Sequence, residues 1–319
     1  MLDVTALGEL LIDFAPAGID ENGYPLLAAK PGGAPPNYLA ALSAYGSRTA
    51  LLSKVGADAF GDLLISTLKK IGVETRGVIR DPSVFTTLAF VTLDEGGERS
   101  FSFARKPGAD TCLRTDEVDL SLIDNAKAFH FGTLSLTGGP ARQTTQAAVA
   151  YAKSRNKLIT FDPNLRASLW DSLDEAKTQI LWGLAQADVV KISDDEVSFL
   201  WNCDEFGGAG KLLDSYGVRL AMVTLGAKGA YLANRKAAAS VGCPAVKPVD
   251  TTGAGDIFGG GAVSRILKLG KDPGGLDEGE LIQIATFAVT AASLSTLKTG
   301  GVPSVPREDE VMATLGRHR

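Results

Sequence analysis

The chain has 319 residues, of which 45% are hydrophobic and 22% are charged, as is typical of a soluble protein with one large domain or two smaller ones. Its net charge of −5 comes without a block of Lys and Arg, which argues against a nucleic-acid partner. The longest apolar stretches, such as residues 287–294, fall far short of the roughly 20 residues that a membrane span needs. The N-terminus lacks the basic region of a secretory signal.

Cysteine and histidine contents limit the possible chemistry. Cys112, Cys203 and Cys243 are widely separated and lack metal-ligand spacing, so we expect reduced thiols in a cytoplasmic protein. The only histidines are His130, in an apolar run, and His318, near the end of the chain. A histidine-based triad or zinc site is therefore disfavoured, and the chemistry is expected to depend on Asp, Glu, Lys, Arg and backbone groups.

Short apolar runs alternate with segments of helical periodicity along the chain. We predict strands at Val4–Leu10, Thr49–Val55, Phe129–Phe131, Leu158–Phe161, Val189–Ile192 and Leu220–Thr224. We predict helices at Pro36–Tyr45, Ala59–Lys70, Arg142–Ser154, Ser172–Leu184 and Asp194–Leu200. This alternation indicates a doubly wound α/β fold, with a mainly parallel sheet sandwiched by helices.

Two segments interrupt the alternation, residues 13–30 and 84–105, because each has strand-like patterning and no helix. Asp94-Glu95-Gly96-Gly97 is a hairpin signal within the second segment. We expect the two segments to form a small β lid on a main domain of residues 1–12, 31–83 and 106–319. Edge strands of the main sheet are the alternative.

Residues 250–261 are rich in glycine and lead into a predicted helix that continues through Leu269. Glycine lets the backbone approach a ligand closely, and the start of a helix attracts anions. Asp256 beside such a site could take a proton from a hydroxyl that attacks a phosphoryl group. The local pattern also allows Asp256 to be an ordinary helix cap.

Other nucleotide-binding motifs do not occur in the sequence. The nearest approach to a P-loop, Gly207–Lys211, has the wrong glycine spacing, and no dinucleotide-binding G-x-G-x-x-G unit follows a strand. A second glycine turn, Pro31–Asn37, precedes a helix and could bring backbone and the Asn37 amide to a small polyol. It could equally be a tight turn with Pro near a helix start.

These residues resemble two signatures of the PfkB, or ribokinase-like, carbohydrate kinases. GGAPPNYLAALSAYG followed by KVGADAFG resembles the N-terminal signature, and DTTGAGDIF resembles the C-terminal one. The similarity extends over essentially the whole chain. Within the family, GERSFSFARKPGADTCL, FHFGTLSL and FDPNLRASLW most resemble segments of fructokinases.

The resemblance implies a role for each matching residue on the sugar side. Asp256 would be the catalytic base, and Gly253, Ala254 and Gly255 would form an anion hole. The sugar hydroxyls would be held by Asp13, Gly32, Gly33, Asn37, Arg105 and Arg166.

The resemblance also implies ATP and Mg²⁺, with K⁺ as a further ion. ATP would contact Asn164, Lys191, Glu196, Thr224, Gly226, Gly229 and Ala288. Glu196 would hold Mg²⁺ through water, and Asp250 and Thr252 would contribute to a K⁺ site. Family members often have Asn-x-x-Glu where this chain has Ser193-Asp194-Asp195-Glu196, so a contact made by that Asn is not expected here.

The expected reaction is transfer of phosphate from ATP to D-fructose, giving fructose 6-phosphate. A kinase of 2-keto-3-deoxygluconate, another sugar or nucleoside kinase of the family, and a non-catalytic binding protein of the same fold are the alternatives. The exposed edges of a two-stranded lid also allow a homodimer formed through the lid.

Overall fold

The computed structural model describes residues 1–93 and 99–317. The strands β1 to β14 are, in chain order, Leu2–Leu7, Leu11–Ile19, Pro25–Gly32, Thr49–Gly56, Val73–Glu74, Val78–Asp81, Leu88–Leu93, Arg99–Ala104, Ala126–Gly132, Leu158–Asp162, Val189–Ser193, Leu220–Thr224, Ala230–Ala233 and Ala238–Val241. The helices α1 to α10 are Ala34–Ala44, Ala59–Lys70, Leu120–Asp124, Gly139–Ser154, Leu173–Leu184, Asp194–Trp201, Glu205–Ser215, Ala254–Leu269, Glu278–Ser295 and Glu308–Arg317.

Ten strands form a central sheet in the order β14-β13-β12-β11-β10-β9-β1-β4-β5, with β6 also paired to β4. All neighbours are parallel except at one edge, where β12, β13 and β14 are antiparallel. The predicted doubly wound α/β fold is confirmed. Most predicted strands occur within a residue or two of their expected bounds, although β1 is Leu2–Leu7 rather than Val4–Leu10.

Helices cover both faces of the central sheet, and each face has its own apolar core. Val4 and Ala6 of β1 pack on one face with α1, α2, α8 and α9, whereas Leu7 packs on the other with α3 to α7. Successive residues of a strand point to opposite faces, so a strand buried on both sides is apolar throughout. This explains why the apolar runs predicted the strands well.

Helices α3, α7 and α10, the two-residue β5, β6 and the β13–β14 hairpin were not predicted. The glycines at 207, 208 and 210 concealed α7, since glycine normally disfavours a helix. Gly208 is needed there because a Cβ would lie 2.5 Å from a methyl group of Val197 in the neighbouring helix α6. The glycines rejected as a P-loop therefore belong to a packed helix.

The second sheet has four strands in the order β3-β2-β7-β8 and is separate from the central sheet. The predicted small sheet is thus confirmed, and the edge-strand alternative is wrong. Strands β7 and β8 pair antiparallel as expected, while the predicted hairpin turn at residues 94–97 lies outside the described residues. The proposed domain boundaries stay a prediction.

Several strands of the central sheet end at one edge. There β1 is followed by Glu9, β10 ends at Asp162 and β11 ends at Ser193. This is the edge where ligands bind in open α/β sheets. None of the helices in the described ranges has both the length and the apolarity needed to cross a bilayer.

Candidate functional site

A cleft of about 370 Å³ opens at this edge of the central sheet, beside the small sheet. Ten of its lining residues were predicted as site residues: Asp13, Gly33, Asn37, Asn164, Arg166, Lys191, Thr252, Gly253, Gly255 and Asp256. They come from segments distant in the sequence, which the fold brings together at a single place.

The N-terminus of α8 forms one wall of the cleft. Gly253 is the N-cap, with φ of 77°, a left-handed conformation that favours glycine and offers no side chain to cap the first turn. Ala254, Gly255 and Asp256 form that first turn, and the N–H of Ala254 donates to the Thr251 carbonyl at 3.2 Å. A Cβ on Gly255 would lie 2.9 Å from the ammonium nitrogen of Lys191. The helix start and a cation therefore face the same space, which suits an anion.

Asp256 is almost fully buried, and two amides hold its carboxyl group. Asn37 donates from Nδ2 to Oδ2 at 2.9 Å, and Asn164 donates from Nδ2 to Oδ1 at 3.1 Å. Burial and the nearby Asp162 raise the pKa of Asp256 to about 7, against the opposing effects of Asn37, Lys191 and Arg166. A carboxyl group with a pKa near neutrality can accept and release a proton at physiological pH.

The glycine turn before α1 also lines the cleft. Gly33 is the N-cap of α1, with φ of 111°, and a Cβ there would lie 2.5 Å from the Glu9 carbonyl. Gly32 packs against the carboxyl group of Asp13, since a Cβ on Gly32 would lie 1.9 Å from Asp13 Oδ2. Burial raises the pKa of Asp13 to about 7, although Arg166 opposes that shift.

Lys191 and Asp162 form a buried ion pair at the base of the cleft, with Nζ and Oδ2 3.1 Å apart. Burial alone would lower the pKa of Lys191, but the carboxylates of Asp162, Glu196 and Asp256 outweigh it and raise that pKa. Asp162 also accepts the backbone N–H of Asn164 at 3.1 Å. The ammonium group is thus held charged where it faces the cleft.

Glu196 lies in an adjoining cavity of about 340 Å³ that shares Asn164, Arg166 and Lys191 with the main cleft. Its two carboxylate oxygens accept the backbone N–H groups of Leu165 at 2.7 Å and Ser193 at 2.9 Å. Ser193 Oγ accepts the N–H of Glu196 in return, so the two residues form a capping box at the start of α6. Ser193 is therefore the N-cap of α6.

The two predicted arginines have different surroundings. Arg166 lines the cleft, whereas Arg105 lies in a neighbouring cavity with Phe103, which borders both spaces. Arg105 is buried and donates to Asp110 from Nη2 at 2.7 Å and from Nε at 2.9 Å. It also donates to the Leu134 carbonyl. The charge of Arg105 is therefore compensated within the protein.

The predicted adenine-side residues lie farther from the cleft. Thr224 ends β12 beside Ser193, and Gly226 and Gly229 form the tight turn that follows. Ala288 is fully buried in the core between α8 and α9, where its backbone packs near Gly261. Ala288 itself does not face the cleft.

The predicted K⁺ residues lie in a loop that leads to α8. Asp250 accepts the N–H groups of Thr252 at 2.8 Å and Gly300 at 2.9 Å, so its carboxylate joins this loop to residues 296–301. Thr252 lines the cleft. Among the described residues, no group of three or more His, Cys, Asp or Glu side chains is arranged to hold a metal ion.

Sequence reasoning missed Glu9 and Asp162. Glu9 lines the cleft, and its Oε1 accepts the N–H of Ala34 at 2.7 Å. Burial raises the pKa of Glu9 to about 7. Each residue lies where a buried parallel strand ends, and a charged residue at that position could have indicated both of them.

The cleft combines a group that can accept a proton with groups that can bind an anion next to it. Asp256 can accept a proton from a hydroxyl group, while Lys191 and the backbone at the start of α8 can stabilise negative charge beside it. Asp13 and Glu9 offer hydrogen-bond acceptors to other hydroxyl groups in the same cleft. The geometry suits phosphoryl transfer to a polyhydroxyl compound.

Comparison with known proteins agrees with this geometry. Residues 1–308 match the family described as pfkB family carbohydrate kinase. Fructokinase-1 of Zea mays is 42% identical over 317 residues, covering 98% of this chain and 97% of the relative. The probable fructokinase-3 of Arabidopsis thaliana is 40% identical over 316 residues, covering 98% of this chain and 91% of the relative.

The fold is also similar to solved structures of fructokinases. A fructokinase from Xylella fastidiosa with bound ATP has a TM-score of 0.89 and 28% identity, covering 99% of this chain and 98% of that one. A fructokinase double mutant from Vibrio cholerae O395, bound to fructose, ADP and a potassium ion, has a TM-score of 0.87 and 32% identity, covering 98% of both chains. The chain therefore belongs to the pfkB family of carbohydrate kinases.

Proposed function

We propose that this protein is an ATP-dependent fructokinase that converts D-fructose and ATP to D-fructose 6-phosphate and ADP. The observation that carries the proposal is Asp256, buried at the open start of α8 with Lys191 alongside. Whole-length identity of about 40% to fructokinases supports the same substrate.

In this mechanism Asp256 takes the proton of the sugar 6-hydroxyl. The hydroxyl oxygen then bonds to the γ-phosphorus, and the bond between that phosphorus and the oxygen of ADP breaks. The backbone of Gly253, Ala254 and Gly255 stabilises the charge that develops on the phosphoryl oxygens. Asp13, Asn37, Arg166 and the Gly32–Gly33 turn hold the other sugar hydroxyls.

ATP is proposed to extend from Asn164 and Lys191 toward Glu196 and the Thr224–Gly229 turn. Mg²⁺ suits this site because it keeps most of its water and binds mainly through substrate phosphates. Both oxygens of Glu196 already accept backbone N–H groups, so Glu196 fits a contact to Mg²⁺ through water. When bound, Mg²⁺ neutralises charge on the phosphates.

K⁺ is proposed to bind beside Asp250 and Thr252. The support is the hydrogen bond from Gly300 to Asp250, which brings this loop against residues 296–301 and their carbonyl oxygens. Carbonyl and carboxylate oxygens are suitable ligands for a hard cation. The Vibrio cholerae relative with bound potassium supports the same ion.

A neutral sugar fits the cleft better than 2-keto-3-deoxygluconate does. The charge of Arg105, the cation predicted on the lid, is already compensated by Asp110. Besides the cations Lys191 and Arg166, the cleft is lined by Glu9, Asp13 and Asp256, which accept hydrogen bonds from hydroxyl groups and, when ionised, repel a substrate carboxylate next to them.

The small sheet is proposed to act as a lid that excludes water from the cleft during transfer, which would limit ATP hydrolysis. We also propose that the protein forms a homodimer through this sheet. Its edge strand β3 has Leu26 and Leu27 exposed by 48% and 43%. Because neighbouring side chains in a strand point to opposite faces, this edge presents an apolar side chain on each face of the sheet. The cytoplasmic location stays a prediction.

An ADP-release assay with MgATP and K⁺ tests the proposal. Fructose, 2-keto-3-deoxygluconate, ribose and adenosine are compared at equal concentrations, and the product is identified by its phosphate position. We expect a strong preference for fructose and formation of the 6-phosphate. Activity only on the keto acid would refute fructokinase but retain the family chemistry; activity on none would favour a binding protein.

Asp256→Asn is the test of the catalytic base. We expect kcat to fall by about three orders of magnitude or more, because the variant cannot accept the hydroxyl proton. The affinity for fructose, measured by calorimetry, should change little. A variant that keeps most of the wild-type kcat would exclude Asp256 as the base.

A further inference from the structure

The carboxylate of Asp256 is held from two sides by two amides. Asn37 Nδ2 donates to one oxygen and Asn164 Nδ2 to the other, at 2.9 Å and 3.1 Å. Because a carboxylate cannot donate, both amides must present their NH₂ groups to it, which fixes the orientation of each side chain. The two bonds together fix the carboxylate plane.

The surroundings of Asn37 hold its amide in place. A Cβ on Gly253 would lie 3.0 Å from Asn37 Nδ2, and a Cβ on Gly301 would lie 2.1 Å from Asn37 Oδ1. The amide is therefore packed between two glycine backbones. Asn37 is 3% exposed, and its Oδ1 has no hydrogen-bond partner among the described residues, so the hydrogen bond that its amide makes to them is the one from Nδ2 to Asp256.

Asn164 is held by its backbone. It has φ of 44°, a left-handed conformation that asparagine adopts more readily than most residues. Its own N–H donates to Asp162, and the next N–H, of Leu165, donates to Glu196. These bonds anchor the loop, so the amide reaches Asp256 from a rigid support on the nucleotide side.

We propose that Asn37 and Asn164 are positioning residues for Asp256, one for each oxygen, which aim the carboxylate and keep it in the proton-accepting form. The proposal rests on the proposed function, since it assigns Asp256 as the base. It gives each asparagine a task in the reaction beyond the contacts to sugar and phosphate predicted for them.

The charges around Asp256 explain why such support is needed. Asp162 at the end of β10 disfavours the ionised form, whereas Lys191 of β11 and Arg166 of the following loop favour it. Burial is the largest effect and also disfavours ionisation. Hydrogen bonds donated to a carboxylate stabilise its charged form and so lower its pKa. Loss of either amide should therefore raise the pKa of Asp256 further.

The test is the pH dependence of kcat and kcat/KM for Asn37→Leu and Asn164→Ala. We expect the acidic limb of each profile to shift to higher pH by about one pH unit, because the pKa of Asp256 rises. At pH 6, kcat should then be about 10- to 100-fold below that of the wild type. Near pH 9 much of the loss should recover, because the carboxylate ionises there without the amides. KM for fructose and ATP should change by a smaller factor than kcat at pH 6, since loss of a ligand contact alone would raise KM and leave the acidic limb in place.

Two further variants separate positioning from damage to the fold. Asn156→Ala is the matched control for Asn164→Ala, because Asn156 is exposed and also left-handed, with φ of 53°; it should leave the profile unchanged. Gly301→Ala leaves Asn37 present but displaces its amide, so it should move the acidic limb in the same direction as Asn37→Leu.

An unmoved acidic limb in both asparagine variants would overturn the proposal, as would a tenfold rise in KM with kcat unchanged, which would indicate simple ligand contacts. If the wild-type protein does not phosphorylate fructose, the proposed function fails on its own. The amide contacts are then tested by carbon-13 NMR titration of Asp256 in wild type and Asn164→Ala. An equal pKa in the two proteins would refute the inference.

Discussion

At the scale of single residues, the cleft contains three carboxyl groups that are wholly or partly buried. Glu9, Asp13 and Asp256 all have pKa values raised to about 7, and burial is the largest cause in each case. Burial disfavours a charge, so ionising these groups at neutral pH opposes folding. These carboxyl groups are thus expected to lower the free energy of unfolding at neutral pH, while their raised pKa values suit proton transfer.

Asp13→Asn should therefore stabilise the protein more at pH 8 than at pH 5. The folded-state pKa of Asp13 is raised, so the stability that this group contributes is present below its unfolded pKa and is lost as the pH rises through about 7. An amide bears no such charge. Thermal unfolding at the two pH values measures the difference, and activity should fall.

Asp214→Asn is the control for this experiment, because Asp214 is exposed at the end of α7. It removes a carboxylate that solvent hydrates, so the melting temperature should change similarly at both pH values. If Asp13→Asn raises the melting temperature equally at pH 5 and pH 8, burial does not raise the pKa of Asp13 as assigned.

At the scale of elements, α1 and α8 pack closely and carry Asn37 and Asp256 respectively. A Cβ on Gly260 of α8 would lie 2.4 Å from the carbonyl oxygen of Tyr38 in α1. A Cβ on Gly259, one residue earlier, would make only ordinary contacts at 3.5 Å with the Tyr38 ring. Glycine at 260 therefore sets the distance between the two helices.

Gly260→Ala should lower the free energy of unfolding by about 1–3 kcal/mol, because the backbone of α1 must move to accept the methyl group. It should also lower kcat, since the shift disturbs the contact between Asn37 and Asp256. Urea unfolding and steady-state kinetics measure the two effects.

Gly259→Ala provides a matched control within the same helix. It should be neutral or stabilising by up to about 1 kcal/mol, since alanine favours a helix more than glycine does. Equal stability changes in the two variants would show that the helix contact does not set the spacing.

At the scale of the whole molecule, the small sheet leaves apolar side chains uncovered at its outer end. Ile19 and Tyr24, at the turn between β2 and β3, are exposed by 71% and 69%, close to Leu26 and Leu27. An exposed apolar patch on an unpaired strand edge is a typical site of association.

Leu27→Lys should convert the proposed dimer to a monomer, because a charge would be placed against the apolar patch. Light scattering after size exclusion measures the mass. Leu173→Lys is the control, since Leu173 is 51% exposed on α5, which packs on the central sheet, and its substitution should leave the dimer intact. A monomeric wild-type protein would refute the proposed dimer.

Local sequence patterns were informative wherever structure depends on neighbouring residues. The fully apolar strands predicted the parallel sheet, and the glycine turns before Asn37 and Asp256 predicted two sides of the cleft. Patterns failed at α7, where packing against Val197 requires glycine in a helix. They also gave no sign that Ala288 is a core residue, because its burial depends on packing against α8.

The sequence alone determined the fold class, the family and most of the residues around the cleft, because strand periodicity and glycine turns are local properties. Three features could be read only from the packed fold: Asn37 and Asn164 meet on the two oxygens of Asp256, Asp110 neutralises Arg105, and Glu9 lines the cleft. These features depend on distances between segments that are far apart in the chain, and on burial, which only the packed fold creates.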